Sequence, residues 1–256
     1  MKSLIKKLFN SETFVLLRNS LDIRSQIYNK NLPGFSSVSD AFPWRTDNSF
    51  KTIFKFSDIL NIFYDISDSE VEIRFYSNKG KYIKNINLNN LKLSNEIIID
   101  KELLDGIEDY GVFHIFHKSE NEILNKEVIS NRCYLGYSYK NNLYSFVHGN
   151  VFVSYLNKNK IIDGKIIKRS LFKNQIYRIQ KYFDDLDKIE LFVTNPTFKK
   201  IYFTVNNKNF ELNKGCSTII SIDCASDKIV ILKSNCTYLR PTLFNYKNCY
   251  LDVHHS

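Results

Sequence analysis

Residues 144–150 read YSFVHGN and residues 250–256 read YLDVHHS, so the frame Y-x-x-V-H occurs twice. A second repeated frame precedes each copy: residues 130–135 read SNRCYL and residues 234–239 read SNCTYL. From the serine of this frame to the following histidine is 18 positions in the first copy and 20 in the second. Two frames that recur in the same order at similar spacing indicate a tandem duplication. We therefore expect two related halves, each ending in the same pair of strands.

The remainder of the sequence is rich in short strand patterns. VEIRFY (71–76) alternates apolar and charged residues, breaks at SNKG and resumes at KYIKNINL (81–88), which predicts a hairpin with a glycine-containing turn. Comparable segments recur at 188–195, 199–205, 217–223 and 228–235. Such spacing favours antiparallel layers over βαβ units. We predict a mainly β fold of two related antiparallel β-sandwich-like halves, with a short N-terminal helix over 3–18.

The same patterns predict four segments. Residues 1–48 hold the N-terminal helix and a segment containing Trp and Arg, and residues 49–156 form the first half. Residues 157–187 are basic and rich in turn-forming residues, so they are predicted to be a connection. Residues 188–256 form the second, shorter half.

Composition excludes several classes of protein. The formal charge is +9, but the lysines are spread along the chain and accompany an excess of the amino acids written with A/T-rich codons, so we expect no nucleic-acid binding. No apolar run is long enough to span a membrane, and the N-terminal apolar run is too short for a signal peptide. The five cysteines lack zinc-ribbon spacing and predict reduced thiols in a cytoplasmic protein. No glycine-rich phosphate loop is present, and we expect no cofactor.

The repeated histidines mark a first candidate site. Alternate residues of a strand share a face, so Tyr250, Asp252 and His254 lie together, as do Tyr144, Phe146 and His148. If the halves pack about a pseudo-twofold axis, His148, Asp252 and His254 are candidate catalytic residues. The candidate metal ligands are His148, His254 and His255. The alternative is that these histidines are structural, because no established ligand spacing is present and His114 and His117 point to opposite faces of a strand.

A second candidate site is FSSVSDAFPWRTDNSF (35–50), which contains the single tryptophan. An aromatic face with Arg and Asp nearby is typical of a sugar-binding surface, which makes Trp44, Arg45 and Asp47 candidate ligand-binding residues. The alternative is that Trp44 is buried and that Arg45 pairs with Asp40 or Asp47. Further candidate ligand-binding residues come from the repeated frames and the segment after them: Asn131, Arg132, Tyr134, Tyr238 and Arg240.

Several of these stretches carry a resemblance to known proteins. SDAFPWRTDNSF, YGVFHIFH, SNRCYLGY, YSFVHGN, YLRP and DVHHS together resemble a group of uncharacterised bacterial proteins that tend to be encoded among genes for surface polysaccharide synthesis. In strand pattern alone, the EVEIRFYSNKGKYI hairpin is similar to the β-sandwich family of sensory rhodopsin transducers, which resemble carbohydrate-binding modules. Both resemblances imply a binding role near glycans, and neither supplies a catalytic residue.

Three functions remain open at this stage. The first is a non-catalytic, glycan-related binding or accessory module in bacterial surface polysaccharide assembly, with a glycan or a sugar-biosynthesis enzyme as its partner. The second is a histidine-based enzyme, with or without a metal, acting on a sugar or nucleotide sugar. The third is a structural protein-protein interaction module, and formation of a homo-oligomer is also left open.

Overall fold

A computed structural model describes most of the 256 residues. The described residues are 2–9, 11–21, 38–120, 133–149, 154–157, 160–163, 170–172, 174–180, 186–195, 199–223, 229–236 and 239–255.

The described part of the chain is built mainly from strands. Its helices are α1 (Lys2–Phe9), α2 (Glu12–Ser20) and α3 (Ile59–Tyr64), with a short 3-10 turn at Asp47–Ser49. The first strands are β1 (Val38–Ser39), β2 (Phe42–Arg45), β3 (Phe50–Ser57), β4 (Glu70–Ser77), β5 (Tyr82–Leu88), β6 (Ser94–Ile99), β7 (Tyr110–Lys118), β8 (Cys133–Tyr139), β9 (Ser145–His148), β10 (Ser154–Asn157) and β11 (Lys160–Asp163). The later strands are β12 (Gln175–Gln180), β13 (Lys188–Thr194), β14 (Ile201–Val205), β15 (Lys208–Leu212), β16 (Ser217–Ile222), β17 (Ile229–Ser234), β18 (Thr242–Lys247) and β19 (Tyr250–His255).

The prediction of a mainly β protein is confirmed, but the prediction of two β-sandwich-like halves is wrong. The strands form four small four-stranded sheets arranged as a four-bladed β-propeller. In strand order these are sheet I (β2-β7-β4-β5), sheet II (β6-β3-β8-β9), sheet III (β12-β17-β14-β15) and sheet IV (β16-β13-β18-β19). A three-stranded sheet, β1-β10-β11, accompanies them.

Burial in sheet IV shows why the chain does not divide into two independent halves. Two sandwiches would each enclose a separate core between their own two sheets. Here the larger hydrophobic core combines side chains of sheets I and II with Phe192, Phe244 and Val253 of sheet IV. The opposite face of sheet IV contributes Leu191 and Leu243 to the smaller core, which it shares with sheet III. Both faces of the central strands of sheet IV, β13 and β18, are therefore buried, and the sheets share their hydrophobic cores.

The order of strands nevertheless repeats along the chain. Sheets I and II have the orders β2-β7-β4-β5 and β6-β3-β8-β9, and sheets III and IV have the same orders shifted by ten strands. Within each repeat, the strands of two sheets alternate along the sequence. The chain therefore enters the second sheet before it has completed the first. The last hairpin of the first repeat is β8-β9, and that of the second is β18-β19.

Local predictions agree with the structure in part. The β4-β5 hairpin is confirmed, and Gly80 adopts a positive φ of 69° in its turn. The predicted N-terminal helix is two helices, because Ser11 caps α2 by accepting a hydrogen bond from the Phe14 amide at 3.4 Å. The segment predicted to be a connection, 157–187, contains β11 and β12.

One strand pairing joins two of the predicted segments. Strand β2, from the segment 1–48, pairs with β7 of the segment 49–156. Among the described helices, none combines the length and the apolar character needed to cross a membrane.

Candidate functional site

Trp44 and Arg45, which the sequence offered as sugar-binding residues, lie in the interior. Trp44 has no solvent exposure, and its indole Nε1 donates a hydrogen bond to the carbonyl oxygen of Tyr76 at 3.0 Å. The exposed fraction of Arg45 is 1%. Neither side chain presents a surface to solvent. The pair therefore matches the alternative in which Trp44 is buried and Arg45 pairs with an aspartate.

Arg45 is the centre of a buried charge network that joins the two repeats. Its Nε and Nη2 donate to the two carboxylate oxygens of Asp47 at 3.0 and 2.7 Å. Its Nη1 donates to Glu190 Oε2 at 2.7 Å, and Tyr246 donates its hydroxyl hydrogen to the same oxygen at 2.5 Å. The guanidinium carbon lies 3.9 Å from the centroid of the Phe50 ring. This bidentate and stacked geometry is specific to arginine.

The ionisation of this network follows from its contacts. Burial opposes the charge on Arg45, but the hydrogen bond with Asp47 and the nearby Tyr246, Asp47 and Glu190 raise the pKa of the guanidinium above its ordinary value. Burial also opposes ionisation of Glu190, yet the charge of Arg45 and the hydrogen bonds from Lys188 and Tyr246 lower the pKa of that carboxyl. Both groups stay charged, so the network is a buried ion pair with satisfied hydrogen bonds.

The two copies of Y-x-x-V-H lie against each other. Strands β9 and β19, the edge strands of sheets II and IV, are in contact. The amide of Val253 donates to Ser145 Oγ at 2.8 Å. The two valines of the frames, Val147 and Val253, are buried in the same larger core. The two edge strands therefore pack against each other at the junction between sheets II and IV.

Two histidines meet at this junction. His148 approaches His255, with ring centroids 5.0 Å apart. His255 Nε2 donates a hydrogen bond to the carbonyl oxygen of His148 at 2.5 Å, and the Thr242 hydroxyl lies 3.5 Å from His255 Nδ1. Burial, with the nearby charges of Arg240 and His148, lowers the pKa of His255 to about 4. His255 is therefore neutral at pH 7 and its described bonds are structural.

Asp252 and His254 form a separate pair. His254 Nδ1 lies 3.2 Å from Asp252 Oδ2, and Asn245 Nδ2 lies 3.4 Å from each of these two atoms. Adjacent residues of a strand point to opposite faces, so His254 and His255 do not share a face of β19. Within the described ranges, no group of three His, Cys, Asp or Glu side chains is placed to hold a metal ion.

The other candidate ligand-binding residues, from the repeated frames and the segment after them, differ in their exposure to solvent. Asn131, Arg132 and Tyr238 lie outside the described residues. Arg240 is half-buried close to His255. Tyr134 lies in β8 with an exposed fraction of 60%. Of the candidate ligand-binding residues, Tyr134 is the one that presents a large aromatic surface to solvent in the described part of the chain.

Tyr134 belongs to a row of side chains that crosses the outer face of sheet II. The strand pairings place Glu96, Lys55, Tyr134 and His148 opposite one another on four adjacent strands. Lys55 Nζ lies 3.0 Å from Glu96 Oε2. Since neighbouring strands are about 4.8 Å apart, the row is about 14 Å long.

A second, apolar row lies beside the first, two residues away from it on each of the four strands. It consists of Ile98, Ile53, Gly136 and Phe146. Phe146 is 45% exposed and its ring centroid lies 5.2 Å from Lys55 Nζ. A Cβ atom at Gly136 would lie 2.4 Å from Ile53 Cγ2 and 2.6 Å from Phe146 Cε1. Glycine at this position lets the Phe146 ring lie flat across the sheet. We call the surface formed by Lys55, Glu96, Tyr134, Phe146 and His148 the aromatic face.

Tyr144 borders the aromatic face. Its ring centroid lies 6.2 Å from that of Phe146. Burial and the charges of Glu96 and Asp100 raise the pKa of Tyr144, so its hydroxyl keeps its hydrogen and can donate it. The face thus combines aromatic rings, a cation, a carboxylate, an imidazole and a phenol.

Sequence reasoning missed Lys55 and Glu96. The alternation in SFKTIFKF (49–56) shows that Lys51 and Lys55 share a face, but that pattern describes a solvated strand equally well. The pairing of β3 with both β6 and β8 brings Lys55 beside Tyr134, and this pairing is not encoded in any local pattern.

Comparisons with known proteins give no family. No protein-family model matches the chain, and no curated protein matches it. Among solved structures, an alpha-L-rhamnosidase of Streptomyces avermitilis in complex with L-rhamnose matches with 8% identity and a TM-score of 0.24. The match covers 88% of this chain and 26% of the rhamnosidase chain, so this protein spans about a quarter of that chain's length. A likeness this weak does not bear on function.

Proposed function

We propose that this protein is a non-catalytic binding module that binds a glycan on the aromatic face of sheet II and serves as an accessory in bacterial surface polysaccharide assembly. The observation that carries the proposal is the exposure of Tyr134 and Phe146, at 60% and 45%, beside Lys55, Glu96 and His148 on one sheet face. The resemblance to proteins encoded among polysaccharide genes supports the same role.

The chemistry of the aromatic face suits a sugar. Apolar C–H faces of a sugar ring pack on aromatic rings, and the burial of apolar surface stabilises such contacts by about 25 cal/mol per Å². The hydroxyl groups require donors and acceptors nearby, which Lys55, Glu96, His148 and Tyr144 supply. A row of about 14 Å exceeds the size of one sugar ring, so we propose an oligosaccharide segment as the ligand.

We place this function in the cytoplasm. The cysteines in the described part of the chain, Cys133, Cys216, Cys236 and Cys249, are free thiols. Reduced thiols are typical of a reducing compartment. This supports a role on the cytoplasmic side of polysaccharide assembly.

A matched pair of variants tests the proposal. A glycan array identifies a bound polysaccharide, and native gels containing that polysaccharide then measure the affinity. We expect Tyr134→Ala to weaken binding by tenfold or more, since loss of one stacking ring costs about 1.4 kcal/mol. Tyr202→Ala is the control, because Tyr202 is 64% exposed but lies on β14 of sheet III.

Two outcomes contradict the proposal. The first is an array with no bound glycan for the intact chain. The second is equal retardation of the Tyr134 and Tyr202 variants in the gels.

The Asp252–His254 pair favours one alternative, an enzyme acting on a sugar or nucleotide sugar. A carboxylate 3.2 Å from an imidazole orients the ring and supports a general base. Incubation of the protein with a panel of nucleotide sugars, followed by product detection, tests this alternative. Turnover that is lost in His254→Gln and retained in Tyr134→Ala would favour the enzyme over the binding module.

A further inference from the structure

Helix α1 exposes its apolar side. Its sequence KSLIKKLF places Leu4, Ile5, Leu8 and Phe9 on one side of the helix by the 3.6-residue period. Their exposed fractions are 74%, 50%, 62% and 45%. A helix with this pattern normally buries its apolar side against the protein body, and here that side faces solvent.

The next helix continues this exposed apolar surface. The ring centroids of Phe9 and Phe14 are 4.6 Å apart, which holds α2 against α1. Leu17 and Leu21, at 39% and 54% exposure, add two more leucines to the surface.

A distant part of the chain meets the end of α2. The amide of Leu171 donates a hydrogen bond to Ser20 Oγ at 2.6 Å, and the amide of Ser170 donates to the carbonyl oxygen of Asn235 at 2.7 Å. Leu171 and Phe172 are 55% and 69% exposed. Residues 170–172 thus fasten the helical hairpin to the body of the protein and add two exposed apolar side chains.

Both apolar segments are basic in sequence. Helix α1 contains Lys2, Lys6 and Lys7 and no acidic residue, and Leu171–Phe172 lies between Arg169 and Lys173. They belong to a chain whose net charge is +9. The contact between Ser20 and Leu171 therefore joins residues 170–172 to the helical hairpin, whose positive charge is concentrated in α1.

We propose that this hairpin surface, formed by Leu4, Ile5, Leu8, Phe9, Leu17, Leu21, Leu171 and Phe172, binds a bilayer surface rich in anionic phospholipid. Apolar side chains of an amphipathic helix insert at the boundary of headgroups and acyl chains, and lysines pair with the anionic headgroups. Basic residues near such a surface strengthen the binding through their attraction to the anionic lipid. The charge pattern favours lipid over a second copy of the chain, because two copies of a basic surface repel each other. The inference does not depend on glycan binding.

Vesicle sedimentation with the full chain tests the inference. We expect binding to vesicles of phosphatidylcholine with phosphatidylglycerol, and at least tenfold weaker binding to vesicles of phosphatidylcholine alone. Raising the salt concentration should weaken the binding, because it screens the lysines. Leu4→Glu/Leu8→Glu should abolish sedimentation with the anionic vesicles, and Lys6→Glu/Lys7→Glu should do the same.

The control is Leu143→Glu, because Leu143 is 79% exposed but lies between β8 and β9, outside the hairpin surface. It should sediment like the unmodified chain. The Tyr134→Ala variant should also retain vesicle binding, which separates failure of this inference from failure of the glycan proposal. Circular dichroism of each variant verifies that the β fold is intact.

Three results would overturn the inference. One is equal sedimentation with the two kinds of vesicle, and another is unchanged sedimentation of the Leu4/Leu8 variant. The third is a mass from light scattering that shows a dimer which the Leu4/Leu8 variant converts to a monomer, because a second copy would then cover the hairpin surface.

Discussion

The ionisation of His255 depends on its burial at the junction between β9 and β19. It donates a hydrogen bond to the carbonyl oxygen of His148, and burial lowers its pKa to about 4, against an ordinary value of 6.5. Between these two pH values the unfolded chain binds a proton that the folded chain does not bind. The free energy of unfolding therefore decreases as the pH falls from 6.5 to 4.

Replacement of His255 tests this coupling. We expect the free energy of unfolding of the unmodified chain to fall between pH 7 and pH 4.5 by roughly 1–3 kcal/mol more than that of His255→Gln. Glutamine keeps an N–H donor but does not titrate, and all carboxylates remain common to the two proteins. Urea unfolding at both pH values measures the difference. Equal pH dependence of the two proteins would show that the junction does not hold His255 neutral.

At the scale of the strands, two glycines allow close approach for different reasons. Gly111 of β7 is paired with Trp44 of β2 and with Ser77 of β4. A Cβ atom at Gly111 would lie 2.0 Å from the carbonyl oxygen of Tyr76, the same oxygen that accepts the Trp44 indole hydrogen bond. At Gly136 the nearest atoms belong instead to side chains: Phe146, whose exposed ring can turn away, and Ile53, which is buried.

These surroundings predict unequal costs for the same substitution. We expect Gly111→Ala to lower the free energy of unfolding by about 2–3 kcal/mol, because backbone atoms must shift. We expect Gly136→Ala to lower it by about 1–2 kcal/mol, because the exposed Phe146 ring can turn away and only the buried side chain of Ile53 must shift. Urea unfolding of both variants at pH 7 provides the comparison. A larger loss for Gly136→Ala than for Gly111→Ala would contradict the close approach of Gly111 to the Tyr76 backbone in sheet I.

The strand elements were predictable where the pattern is local. The β4-β5 hairpin follows from alternation and a glycine turn, and it forms as predicted. The two copies of the frame S-N-x-x-Y-L do not take equivalent positions relative to their strands. Leu135 lies within β8, whereas Leu239 lies before β18. Alternation correctly grouped Phe146 with His148 on one exposed face. It could not show that His255 of β19 lies beside His148, because that contact depends on how sheets II and IV pack.

At the scale of the whole molecule, the sequence could not distinguish sandwiches from a ring of small sheets. Short strands bounded by Asn, Lys, Gly and Asp are typical of both architectures. The difference lies in burial on both faces of sheet IV, where Phe192 and Leu191 enter different cores. The pairing of Arg45 with Glu190 is equally non-local, since 145 positions separate the two residues. The aromatic face depends on such pairings as well, which is why Lys55 and Glu96 were missed.

Hydroxyl-radical footprinting with the glycan identified on the array tests the binding proposal most directly, because it reports the exposure of individual side chains. We predict that the glycan protects Tyr134 and Phe146 from oxidation, while Tyr202 and the 61% exposed Tyr250 oxidise as in the free protein. Unchanged oxidation of Tyr134 and Phe146 in the presence of bound glycan, or protection centred on another sheet, would contradict the assignment of the aromatic face as the binding site.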